Sequence, residues 1–144
     1  MAATPQYGVD YLDNIHQLER YAASDTREWR FSSGEEVWRS RLRQSVYALR
    51  DAFYAHVAVT EGPSGLYREL CDAAPRLERR VGKLRRDSAR LASAINLLLI
   101  RSEHARPEWV RRWSAELVAE MSRHREMGAE LLYQAYVQDL GGET

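Results

Sequence analysis

The sequence predicts an all-α protein, a single up-down-up-down four-helix bundle, and three observations lead there. Apolar residues recur at three- and four-residue steps along four stretches of the chain. Eight glycines and four prolines in 144 residues are few breakers, and the strongest of them fall between those stretches. No segment alternates apolar and polar residues for long enough to form a convincing strand. At this length one domain, 1–144, buries a core without disulfide or metal staples.

Taken in order, Met1 to Asp10 reads as a loose N-terminal end. A short first helix is expected from Tyr11 to about Ala23, with Leu12, Ile15 and Ala22 on one side and His16 beside that side. Ser24 to Gly34 is a connection given something to pack by Trp29 and Phe31. Ser33-Gly34-Glu35-Glu36 then offers an N-cap with acids in the first turn. The second helix, about Glu35 to Thr60, carries the stripe Trp38, Leu42, Ser45, Leu49, Phe53, His56, Thr60 and ends at Gly62-Pro63-Ser64-Gly65. A short helical piece from Leu66 to Cys71 precedes Pro75, which suits a helix start. The third helix runs to about Arg101 with Leu77, Val81, Leu84, Ser88, Leu91, Ile95 and Leu98 on its stripe. After a loop from Ser102 to Arg106, Pro107 opens the fourth helix, which Gly141-Gly142 stops. In that helix Val110, Leu117, His124 and Leu131 fall at seven-residue steps, and Met121, Gly128 and Ala135 form the second row.

Composition excludes several classes. Lys plus Arg and Asp plus Glu each number 21, so there is no net field to steer nucleic acid or an anionic membrane. The densest basic run, Arg76 to Arg86, reads as a solvated outer face. The longest apolar run, Ile95 to Ile100, is too short to span a bilayer, and nothing resembles a secretion signal. The single cysteine, Cys71, precludes an intramolecular disulfide and fits a reducing cytoplasm; it reads as a small buried residue rather than a nucleophile. His104 is expected in an exposed loop, and Trp109 and Trp113 as packing residues. Phosphate loops, dinucleotide fingerprints, paired zinc motifs and nucleophile elbows are absent from the sequence.

Stacking the stripes antiparallel brings His56, Thr60, Ser88, His124 and Gly128 to comparable depth, a polar and underfilled layer. A mid-helix glycine costs about 1 kcal/mol against alanine, so Gly128 needs a packing or functional reason. One buried histidine is ordinarily a hydrogen-bonded core residue. Two, each followed one turn later by a small residue, point instead to a pocket, and bundle interiors are common places for metals and cofactors. Filling the layer, for example with leucine at 128, is expected to stabilise the fold and close that pocket.

His124-Arg125-Glu126 through Leu131-Leu132-Tyr133-Gln134-Ala135-Tyr136 to Asp139-Leu140-Gly141-Gly142 resembles the last helix and tail of bacterial members of the haemerythrin-like (HHE) domain family. Phe53-Tyr54-Ala55-His56, with Glu61-Gly62 and Gly65-Leu66-Tyr67, is similar to that family's second helix and following turn. The resemblance implies a four-helix bundle built for a non-haem di-iron centre, with His16 at the first-helix histidine position. It also marks departures. Thr60 and Gly128 stand where the family has carboxylates, and Ser88 stands where it has a histidine. An intact di-iron centre is therefore not expected; the cofactor is none, or one metal ion such as iron or zinc. Three readings stay open. The favoured one is a small-molecule site in the bundle interior, catalytic or not, with His56 and His124 as acid and base and Thr60, Ser88 and Gly128 shaping the site. The second is one non-haem metal on His16, His56 and His124, joined by Glu61 if the helix frays at Gly62, for O2, NO or redox chemistry. The third is an inert structural or interaction module.

Overall fold

Helices dominate residues 10–24 and 34–140, which the structure, a computed structural model, describes; no strand occurs among them. They are α1 (Leu12–Ala22), α2 (Gly34–Glu61), α3 (Leu66–Ala73), α4 (Glu78–Arg101) and α5 (Pro107–Gln134). A 3-10 turn, Pro75–Leu77, leads into α4, and a π-helical segment, Ala135–Leu140, extends α5. Pro107 fixes the start of α5, and Arg106 before it is extended at φ −60°, ψ 145°, as a residue preceding proline must be.

The four longer helices close into a ring in which α1 and α4 lie diagonally, each packed between α2 and α5. Neighbours run antiparallel. Trp38 Nε1 donates to the Tyr21 carbonyl at 2.9 Å, while at the opposite end of the same pair Tyr11 packs on Phe53. Arg111 Nε donates to the Ala22 carbonyl at 2.8 Å, whereas Arg125 meets Asp10. Arg43 on α2 reaches Ser102 Oγ and the Leu99 carbonyl, where cations complement the C-terminal end of α4.

Along this ring the core divides in two. The larger apolar cluster includes Tyr11, Leu42, Leu49, Phe53, Leu91, Ile95, Leu117 and Met121. The smaller one, under α3, joins Tyr67, Leu70, Leu77, Val81, Leu84, Leu131 and Ala135. On α4, Leu84 and Leu91 belong to different clusters and Ser88 lies between them; on α5, His124 likewise separates Met121 from Leu131. The polar layer read from the stripes is thus the boundary between the two clusters. Close backbone approach builds the turn beside it. A Cβ on Gly65 would lie 2.8 Å from the Thr60 carbonyl oxygen, and one on Gly62 would lie 2.6 Å from that of Ala58.

The stripes of α2, α4 and α5 are buried as read, except that His56 and Gly128 are half-buried. In α1 the inward face is Tyr11, Ile15, Leu18 and Ala22, spaced by four, three and four residues, and Leu12 is only half-buried. His16 lies about 100° beyond Ile15 on that wheel and is exposed. Asp10 is not loose: its Oδ1 accepts the Tyr11 and Leu12 amides at 2.7 and 3.2 Å and its carboxylate holds Arg125. The fourth helix does not stay α-helical to its end but turns π at Ala135. Met1 to Val9, Trp29, Phe31, Ser33 and Gly141-Gly142 lie outside the described residues. Among the described residues no helix is long and apolar enough to cross a membrane.

Candidate functional site

Consecutive residues of α4 face α5 from either side of one imidazole. Asp87 and Ser88 diverge by about 100° around the helix, so each reaches a different ring nitrogen of His124. Asp87 Oδ2 lies 2.8 Å from Nδ1, and Ser88 Oγ lies 3.0 Å from Nε2. Ser88 Oγ also donates to Glu61 Oε2 at 2.5 Å. His124 and Ser88 are each only 3% exposed. Phe53 packs edge-on against the His124 ring, with centroids 5.8 Å apart.

Glu61 joins this chain without any fraying of α2. It is the last residue of that helix, where its carboxylate can lean across to α4. The Asp87 carboxyl is pushed up by burial, but hydrogen bonds from Arg90 and His124, with their charges, outweigh this and leave it below the usual carboxylate range.

His124 also borders a pocket of about 600 Å³ that His56, Thr60, Gly128, Tyr67 and Arg125 help to line. Four of the five residues singled out in the layer therefore meet at one pocket, and the fifth, Ser88, stands behind His124. Thr60 spends its hydroxyl hydrogen on the His56 carbonyl at 2.9 Å. Its side chain also hydrogen-bonds Tyr67, whose phenol is pushed up to about 12, chiefly by burial and then by the Glu61 charge. Gly128 explains itself here: a Cβ would sit 3.2 Å from Tyr67 Oη, so the absent side chain gives the phenol its place. Arg125 at the pocket is held by Asp10 through contacts of 2.9, 3.1 and 2.7 Å.

The sequence reading missed Asp87, Tyr67, Tyr11 and the Asp10–Arg125 pair. Asp87 adjoins a core serine opposite a core histidine, which is a usable signal, but it lies off the apolar stripe of its helix. Tyr11 stands four residues before Ile15, on the inward row. Its ring is edge-on to both Phe53 and His56, with centroids 5.2 and 5.1 Å away. Its hydroxyl is fully buried and without a hydrogen-bond partner, and burial pushes it far above the ordinary phenol range.

An aspartate, a histidine and a serine in this order invite comparison with a hydrolytic triad. The serine, however, does not border the pocket and its hydroxyl is turned to Glu61, so it serves as a link rather than a nucleophile. The donor set does not fit a di-iron centre either. Both ring nitrogens of His124 are engaged by protein groups, Thr60 and Gly128 supply no carboxylate, and His16 is on the outer surface. Among the described residues no group of three or more His, Cys, Asp or Glu is disposed to hold a metal. No family model, no characterised protein and no solved structure matches the chain, so the site itself carries the functional argument.

Proposed function

We propose that this haemerythrin-like bundle binds a small organic molecule in the pocket and that His124 exchanges a proton with it through Nε2, the longer Ser88 contact at 3.0 Å opening while Asp87 keeps Nδ1. The observation that carries the reading is a buried imidazole bordering the pocket while Asp87 fixes its Nδ1 at 2.8 Å. Imidazole both accepts and donates protons near neutral pH, and a carboxylate on Nδ1 sets the tautomer and the ring orientation. The pocket falls within the roughly 300–1,000 Å³ typical of small-molecule sites. Ala58, Val59, Leu66, Ala129 and Leu132 give it apolar walls, while His56, Thr60 and Tyr67 supply polar groups. Asp10 already matches the charge of Arg125, which favours a ligand of low charge. Neither nucleic acid nor membrane is a partner in this reading, and the lone cysteine suits a cytoplasmic setting.

A fragment screen by amide NMR on the full chain tests the proposal. Bound fragments are expected to move the signals of Thr60, Leu66, Gly128 and Ala129. Ala129→Phe, at an exposed position on the pocket wall, is expected to abolish those shifts while keeping the fold. A screen that moves none of these signals overturns the proposal in favour of an inert interaction module, and fragments that bind the variant equally well place their site elsewhere.

A further inference from the structure

Three links join Asp87, His124, Ser88 and Glu61, and each needs one hydrogen between its heavy atoms. The serine hydroxyl owns one hydrogen and a neutral imidazole owns one N–H. With both carboxylates ionised that makes two hydrogens for three links. One contact, at 2.5, 2.8 or 3.0 Å, would then set lone pair against lone pair at a ring and a hydroxyl that are each only 3% exposed. A third proton removes the conflict.

We propose that the chain is a proton relay holding this third proton, which rests on His124 and passes to Glu61 through the Ser88 hydroxyl. At rest Nδ1–H donates to Asp87, Nε2–H donates to Ser88 Oγ, and the serine O–H donates to Glu61 Oε2. In the transfer Ser88 gives its hydrogen to Glu61 and receives the Nε2 hydrogen. The products are a neutral Glu61 acid, an intact hydroxyl and an imidazole protonated at Nδ1 alone. The four groups carry one net negative charge before and after.

The surroundings suit that role. Asp87 borders a second cleft of about 380 Å³ between α4 and α5, where Arg90 bridges it to Glu120 at 2.8 Å on each side. His124 borders the interior pocket. The chain therefore stands between two openings, and a ring that has given its Nε2 proton to a pocket ligand regains one through the Ser88 hydroxyl after the half-buried Glu61 carboxylate has taken a proton from solvent. The remaining titratable groups about the ring are Asp10, paired with Arg125, Tyr11 from α1, His56 from α2 and Tyr67 from α3. The relay goes beyond the ligand reading, because the proton count holds with the pocket empty or filled.

Imidazole 15N–1H NMR of the histidine-labelled full chain, near neutral pH and with no ligand added, tests it. Both ring nitrogens of His124 are expected to carry protons. In Glu61→Gln the side-chain amide donates to Ser88 Oγ and turns the hydroxyl hydrogen towards Nε2. The ring should then change from predominantly two-proton to predominantly one-proton, with Nε2 bare. In a Ser88→Ala background the same glutamine should have no effect on the ring, since the link is gone. A bare Nε2 in the wild type, an unchanged ring in Glu61→Gln, or an equal glutamine effect without Ser88 would each overturn the relay. Because no ligand enters, this result and the fragment screen can fail independently.

Discussion

At Asp10 and Asp87 the folded protein holds two carboxyls below their usual range. For Asp10 the Arg125 hydrogen bond is the main cause; for Asp87 burial pushes upward, and the bonds from Arg90 and His124 prevail. A carboxyl lowered by folding stabilises the fold above its unfolded range, and that contribution disappears as pH falls through the folded value. Urea unfolding followed from neutral to strongly acidic pH should therefore show an acid limb that flattens in Asp10→Asn and in Asp87→Asn. Each contributes about 0.5–1 kcal/mol, as partly exposed pairs do; an unchanged acid slope in both variants would exclude the pairs in solution. Gly128 admits a sharper test. Alanine in mid-helix gains about 1 kcal/mol over glycine, but here its Cβ would stand 3.2 Å from Tyr67 Oη. Gly128→Ala should gain much less than that in the wild type and close to the full amount in a Tyr67→Phe background, read as a double-mutant cycle. The leucine that the stripes suggest as a filler runs into Tyr67 and should destabilise the fold.

The helices divide their burial unequally. α3 spans eight residues and packs on the smaller cluster, which the polar layer cuts off from the larger one. Local opening should follow that division: native-state hydrogen exchange is expected to release the amides of α3 at lower free energy than those around Met121. Leu70→Ala should weaken protection in α3 alone, whereas Leu91→Ala, at the centre of the larger cluster, should cost about 2–5 kcal/mol and weaken protection throughout. Equal protection of both regions would make the bundle one cooperative unit. These elements also show what the sequence could reveal. The long stripes of α2, α4 and α5 repeat often enough for their periodicity to fix the buried face, so His124 and Ser88 were placed correctly. The 11 residues of α1 make only about three turns, against about seven or eight in the 24 to 28 residues of the others, too few to single out Tyr11 and Leu18. A helical wheel gives about one core position per turn, whereas the His124 ring sits between two successive residues of α4, which places Asp87 outside the stripe. Glu61 faced the wrong way on the wheel, and its reach across a helix end is not a periodic property.

For the whole molecule, net neutrality and an apolar core closed on both sides of the polar layer mean that folding needs no outside counter-charge. The reading of one metal ion on His16, His56 and His124 carries a contrary consequence, since any ion bound only by the folded chain adds to its stability. The two views differ in a measurable way. A metal joining α2 and α5 through His56 and His124 would add stability that grows with its concentration and vanishes on chelation. In the geometry observed, Asp87 and Ser88 already engage both nitrogens of His124, so metal entry requires breaking at least one of those bonds. Thermal unfolding should accordingly give the same Tm with excess chelator, with iron(II) held anaerobic, or with zinc. His124→Leu is the companion test: it removes any metal ligand but also leaves Asp87, Ser88 and Glu61 without their partner, and so should lower Tm equally whether chelator is present or absent. A chelator-sensitive wild type whose sensitivity disappears in His124→Leu would instead mean that the ring holds a metal, and would displace the proton-exchange reading altogether.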